Sequence, residues 1–426
     1  MFRAQSQGLP TLLAAVVMSV CVSARAEGPG IRNGDIVVHP QATGAVGLDS
    51  NVFYEDASET PVNATVTRVG LGVGVENRHP NKVALELGTD AMFRFLFADG
   101  DAQTVRSVEA RNGFDVAKVD ATVGLLPRNP FTLELKLEGN YKDRPAFEDT
   151  TEGYQRVEVR PGFDLRFRPG ENPDSRPLEL RLGYRAQVVR LLDCTALGIC
   201  AADKTAHQLR FLTSWKFFPK TALSLDARWT LVDFDRNGGA PVAVEGQTGA
   251  QNRDGMPVEA ALALKGLVTR RISTTLRVGY KNTFNDLGES FSGVIATTEV
   301  QYALEPSLKL TAGYNRDARD SSYSNFYVLN QAYSTAELYF FGRWNIGGRF
   351  GFDSYDFSAT AGEATVLPRE DPVLTYRVHG GYSPNDWLSA RLSFEGENNR
   401  TDFFISEGSP SAYHRTVALA SIEAKY

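Results

Sequence analysis

The sequence predicts an all-β membrane protein: a transmembrane, antiparallel, up-and-down β-barrel of about 18 strands. The count becomes 16 if a hairpin between 98 and 130, or between 256 and 304, is misplaced. Three observations carry this. Apolar and polar residues alternate in long runs, tight turns alternate with long polar loops, and the polar side of the runs is heavily charged. The composition agrees in what it excludes. Across 426 residues, 45 Lys+Arg stand against 51 Asp+Glu with no basic block, which argues against a nucleic-acid partner. Hydrophobic residues, 42% of the chain, are spread over its whole length, which argues against disorder.

Residues 1–26 read as a cleaved export signal. Arg3 supplies the positive start, Leu12 to Val22 is almost uninterruptedly apolar, and Ala24-Arg25-Ala26 is a small-x-small cleavage site. The run is too short to span a bilayer, which takes about 20 residues. Cys21 follows a bulky Val20, which suits lipoprotein processing poorly. Cleavage removes two arginines and no acid, so the net charge of −6 becomes −8. Residues 27–34 then form a short periplasmic lead, and 35–426 form the barrel.

The strands show themselves by period two. In Phe131 to Tyr141, Phe131, Leu133, Leu135, Leu137 and Tyr141 share one face, while Thr132, Glu134, Lys136, Glu138 and Asn140 share the other. The same split separates Leu223, Leu225, Ala227, Trp229 and Leu231 from Ser224, Asp226, Arg228 and Thr230. It recurs in Leu388, Ala390, Leu392 and Phe394 against Ser389, Arg391, Ser393 and Glu395. A helix would scatter alternating residues around its circumference; a strand gives each set one face.

Turns follow, because Pro and Gly cannot continue a ladder. Short ones are expected near 78–82, 127–130, 170–177, 218–220, 269–272, 304–306, 346–348 and 384–386. Longer polar stretches lie between them, among them 48–64, 143–153, 190–206, 235–256, 316–332, 359–371 and 399–412. Eight short turns divide the chain into nine hairpins. A soluble β-fold uses strands of about 5–6 residues, whereas a membrane barrel uses about 9–11 or more, apolar outside and polar inside. The runs here are long, and water in a lumen can hydrate their charged face. Trp215, Trp344 and Trp387 sit near short turns, where an interfacial aromatic girdle belongs. The last strand, Tyr413 to Tyr426, ends on an aromatic that shares a face with Ala420, Ile422 and Ala424. That ending resembles the signal read by barrel-assembly machinery, so lipid and that machinery are expected partners in an outer membrane.

Three segments add a resemblance. They are Gly47-Leu48-Asp49-Ser50-Asn51-Val52-Phe53-Tyr54; Gly313-Tyr314-Asn315-Arg316 followed by Ser324-Asn325-Phe326-Tyr327-Val328; and Gly381-Tyr382 with Asp386-Trp387-Leu388 and Glu397-Asn398-Asn399. They resemble the outer-membrane β-barrel porin family associated with bacterial exopolysaccharide export. The resemblance is diffuse, covers most of the mature chain and carries no catalytic signature. It implies an export pore for a secreted polysaccharide, working with a periplasmic polysaccharide-export protein.

No enzyme is expected and no cofactor. His39, His79, His207, His379 and His414 are scattered without metal-ligand spacing, and no nucleophile motif or phosphate loop is present. Cys194 and Cys200 are expected to form a disulfide closing a small surface loop; a redox pair or metal site would want C-x-x-C spacing or a nearby His. Alternation aims Arg156, Glu158, Arg160, Asp164, Arg166 and Arg168 into the lumen, beside Glu179, Arg181, Arg185 and Gln187 on the next strand. Glu134, Lys136 and Glu138 come from the preceding one. Such a wall is either a set of cross-strand charge pairs or an arginine track for an anionic or hydroxylated polymer. Tyr323, Phe326 and Tyr327 in the 316–332 loop are candidates for stacking on sugar rings, or for packing that loop into the pore mouth. Asp317, Asp320, Glu55 and Asp56 lack calcium-loop spacing and read as solvated surface. The alternatives to export are a diffusion porin or small-solute uptake channel, and a non-conducting structural or adhesive barrel. A lumen filled by its own salt bridges would favour the last.

Overall fold

The computed structural model describes residues 28–426, apart from 56–59, 78–81, 144–154, 171–175, 193–202, 235–253 and 359–368 and the shorter stretches 219, 287, 306, 322–323, 402–403, 407–408 and 411. The export signal and both barrel cysteines, Cys194 and Cys200, therefore lie outside the described residues. One sheet of eighteen long antiparallel strands closes on itself. Its first six strands are β1 (Ile36–Asp49), β2 (Ala64–Asn77), β3 (Val83–Phe97), β4 (Gly113–Leu125), β5 (Phe131–Asp143) and β6 (Gln155–Phe167). The next six are β7 (Leu178–Leu192), β8 (Lys204–Phe218), β9 (Thr221–Phe234), β10 (Val258–Leu267), β11 (Ile272–Asn282) and β12 (Ser292–Glu305). The last six are β13 (Leu308–Asp320), β14 (Phe326–Phe340), β15 (Trp344–Phe357), β16 (Glu370–Asn385), β17 (Leu388–Asn399) and β18 (Tyr413–Lys425). Each strand pairs with its sequence neighbours, and β18 returns to β1 from Gln41↔Lys425 to Asp49↔Val417. Closure leaves no edge, which is the condition for a sheet to stand in lipid.

The wall has the two faces that the alternation foretells. On β9, Leu223, Leu225, Trp229 and Leu231 are exposed outward while Asp226 and Arg228 are buried inward. The exposed apolar set recurs on strand after strand around the barrel. A water-facing surface this apolar would aggregate; a bilayer is its solvent. Trp215, Trp344 and Trp387 all lie at the short-turn end, each more than two-fifths exposed, and form the lower aromatic belt. The chain is an outer-membrane β-barrel. No helix among the described residues is long and apolar enough to cross a membrane.

Two expectations about connections are corrected. The turn placed at 346–348 is at 341–343, where Phe341 and Gly342 take φ of 53° and 68°, and Ile346–Gly348 lies inside β15. Gly347 is glycine because Glu337 and His379 fill the place of its side chain. The stretch 316–332 is mostly strand: β13 runs to Asp320 and β14 starts at Phe326.

The chain ends meet at the short-turn side. Ile31–Asn33 pairs antiparallel with Ile36–Val38, beyond the point where β18 runs out. The Gly28 N–H donates to Lys425 O at 3.0 Å, and the Tyr426 N–H donates to Pro40 O at 3.0 Å. Ile31–Asn33 thus continues the sheet. At the loop end of this seam, a Cβ on Gly47 would overlap the Ala418 carbonyl oxygen, whereas one on Gly44 would meet nothing within 4 Å. Gly47→Ala is therefore expected to reduce the compact, heat-modifiable band on unheated SDS gels, and Gly44→Ala to leave it unchanged.

Candidate functional site: the barrel lumen

The candidates on β5, β6 and β7 form two connected sets, one near the short turns and one nearer the loop end of the wall. Register places Glu134 opposite Asp164, two like charges. Lys136 settles them by reaching Glu134 at 3.3 Å and Asp164 at 2.8 Å. Arg166 pairs with Glu134 at 2.5 Å and Arg185 with Asp164 at 3.2 Å. Above them Arg160 reaches Glu158 at 2.5 Å and Glu138 at 3.8 Å, and Arg156 reaches Glu158 at 3.4 Å. Arg168 stands apart: it follows the end of β6 and donates to the Pro127 carbonyl at 2.8 Å, tying two short turns together. Each cation on these three strands that sequence singled out has a carboxylate within 4.0 Å, so their basic excess is not a row of free guanidinium groups.

A second regularity could not be seen before the register was known. Among the described residues, three pairs of arginines that stand directly opposite each other on neighbouring strands are bridged by an acid: Arg68 and Arg94, Arg166 and Arg181, Arg210 and Arg228. Like charges so placed repel. Each pair shares one carboxylate. Asp115 takes Arg68 at 3.1 Å and Arg94 at 2.9 Å. A bulge between Met92 and Phe93 makes Asp115 the extra residue of β4. Glu179 takes Arg181 at 2.7 Å and Arg166 at 3.6 Å. Asp226 takes Arg210 at 2.8 Å and also holds Arg228.

The loop half of the lumen adds buried apolar clusters to charge pairs of its own, among them Arg94 with Asp143 and Arg415 with Asp49. Val66 and Leu96 face inward there and are fully buried with Val52 and Val108. Val108 belongs to α1 (Ala102–Glu109), capped by the Asp101 carboxylate, which accepts from Gln103 and Thr104 N–H. That carboxyl sits below its ordinary pKa because Thr104 hydrogen-bonds its ionised form. The loop carrying α1 thus folds into the barrel mouth. Ala206, Val232 and Phe234 form a second inward cluster, and Tyr327, Leu329, Tyr355 and Val373 a third. Phe326 packs with Phe291, Ile295 and Ala318. Phe326 and Tyr327 are thus buried strand residues, 5% exposed each, and Tyr323 lies outside the described residues. Lys204 at the start of β8 pairs with Asp320 at the end of β13, five strands away. Asp317 pairs with Lys281 at 3.3 Å, and Glu55 accepts the Val62 N–H at 2.9 Å. Asp56 lies outside the described residues.

No group of three or more His, Cys, Asp or Glu suited to a metal exists among the described residues. His207 bonds the Tyr184 hydroxyl at 2.8 Å on the exposed outer surface, while His379 is buried in the inner wall. The two histidines therefore share no site.

No family model matches the chain. No curated protein matches it. Among solved structures, the barrel is similar to OpdQ of Pseudomonas aeruginosa at 10% identity, covering 92% of this chain and 98% of that one, with a TM-score of 0.49. The outer membrane protein OpdK of the same organism aligns at 13% identity over 91% and 99%, with a TM-score of 0.47. The siderophore receptor PirA, also from Pseudomonas aeruginosa, aligns at 8% identity over 91% and 80%, with a TM-score of 0.41. Likenesses this distant bear on neither the solute nor the partners of this chain.

Proposed function

We propose that the barrel is a channel for small solutes. One observation carries the reading: the lumen wall is charged and hydratable along its length, and its loop half is narrowed. There α1 fills part of the mouth and the Lys204–Asp320 pair spans five strands. Barrels of 16–18 strands leave an aqueous bore, and a bore narrowed in this way suits a small polar molecule better than a hydrated glycan chain. Polysaccharide export, with its periplasmic partner, rests on the sequence resemblance alone. The non-conducting structural barrel has one observation in its favour, the mutual pairing of charges on β5–β7.

Planar-bilayer recording of the purified protein separates the three. Steady, ohmic current steps without any added protein are the expected result. An insulating, correctly folded barrel would make the structural reading the right one. Loss of surface polysaccharide on deletion, restored by complementation, would return the export reading.

A further inference from the structure

Among the described residues, four short turns share a pattern that the lumen wall does not use. Each presents a large apolar residue with a cation two positions later. The pairs are Leu126 and Arg128 at the β4–β5 turn, Phe218 and Lys220 at β8–β9, Val268 and Arg270 at β10–β11, and Phe341 and Arg343 at β14–β15. The apolar members are 48%, 62%, 69% and 89% exposed, so they add little to any core. Leu126 and Phe341 stand at φ of 55° and 53°, a region that bulky side chains avoid. The four cations are exposed as well, and none has a carboxylate within 4.0 Å among the described residues. The segments 125–130, 216–220, 265–271 and 340–344 hold no Asp or Glu at all. The turns that carry Glu305 and Asp386 lack the pattern.

Ring contacts tie two of the four tips to the aromatic belt. Phe218 lies 4.9 Å from Phe217, which lies 5.6 Å from Trp215. Phe341 lies 5.6 Å from Phe340, which stacks on Trp344 at 6.3 Å. The tips thus continue the lipid-facing surface down to the border where headgroups begin.

We propose that these four turns bind the phosphate headgroups of anionic phospholipid in the leaflet at the short-turn side. Each apolar side chain enters the acyl border, and the cation two residues on reaches the phosphate above it, the division of labour by which amphipathic side chains straddle an interface. A cation at an anionic membrane surface is attracted only within a Debye length, so a place at the border is what makes these charges effective. With no acid in the turn, nothing in it competes with the lipid. The site is independent of what the bore conducts.

The test places the full barrel in phosphatidylcholine bilayers with a minor share of phosphatidylglycerol, extracts it mildly and quantifies the retained lipid by mass spectrometry. Phosphatidylglycerol should be enriched roughly fivefold over the bulk mixture. The fourfold exchange Arg128→Gln, Lys220→Gln, Arg270→Gln and Arg343→Gln should return the retained lipid to the bulk ratio, with the heat-modifiable band unchanged. The lesser exchange Lys220→Gln with Arg270→Gln, at neighbouring turns, should remove part of the enrichment, and it serves if the fourfold variant does not fold. Phe218→Ser with Phe341→Ser should lower the enrichment with every cation intact, as a lipid requires and a free phosphate does not. Inorganic phosphate at millimolar concentration should leave the retained lipid in place. Retention at the bulk ratio by the native barrel, enrichment undiminished in the Gln variants, or displacement by inorganic phosphate overturns the proposal.

Discussion

Exchange of Asp226 for alanine is expected to destabilise the barrel by about 3 kcal/mol or more, because it leaves two opposed guanidinium groups in the wall without their shared counter-charge. Asp226 holds Arg210 through two bonds of 2.8 and 3.0 Å and holds Arg228 as well. The side chains are only 10%, 17% and 5% exposed respectively, so solvent screens the repulsion poorly. Glu259, 3.5 Å from Arg228, offsets part of the loss but is already engaged by Arg277. The midpoint of the heat-induced mobility shift on SDS gels would fall. The double exchange Asp226→Leu with Arg228→Leu should lose less than Asp226→Ala, since it removes a charge together with its partner. A double variant weaker than the single one would mean that packing at this point outweighs charge.

The second large effect separates the two faces of the wall by one residue. Leu262 lies at the middle of β10 and is 56% exposed on the outside. Arginine at the bilayer midplane costs about 2–4 kcal/mol on the lipid face of a barrel, so Leu262→Arg should impair insertion and lower the yield of folded barrel. Its neighbour Ala263 faces the lumen opposite Arg277. Ala263→Gln meets water and a guanidinium there and should be tolerated. The reverse order of effects would place lipid on the other side of the sheet.

Period two made the fold legible, because alternation is local. Phe131 to Tyr141 states its two faces without knowledge of its neighbours, and the three girdle tryptophans follow from their distance to a turn. Registers are not local. The three bridged arginine pairs exist only once neighbouring strands are aligned. Turn chemistry misled at Gly347-Gly348, since glycine also answers crowding inside a strand; the true turn uses Phe341 at a positive φ, which few rules would choose. Phe326 and Tyr327 were read as loop residues because polar alternation above the membrane looks like a loop. Their neighbours Ile295 and Leu329, fully buried, show that the wall continues there. Arg168 kept the right parity but stood one residue past the strand.

The meeting of the chain ends has a consequence for the order in which the barrel could be written. Gly28 and Lys425 are joined by a backbone hydrogen bond, so a short linker from Tyr426 to Gly28 would connect the termini without disturbing the sheet. The gene could then be reopened at 283–291, between β11 and β12, and encode the same eighteen strands in a rotated order. In such a permutant the pair β18–β1 becomes an ordinary hairpin and Tyr426 no longer terminates anything. What the closed sheet requires and what an insertion apparatus recognises would then become separable properties of one polypeptide.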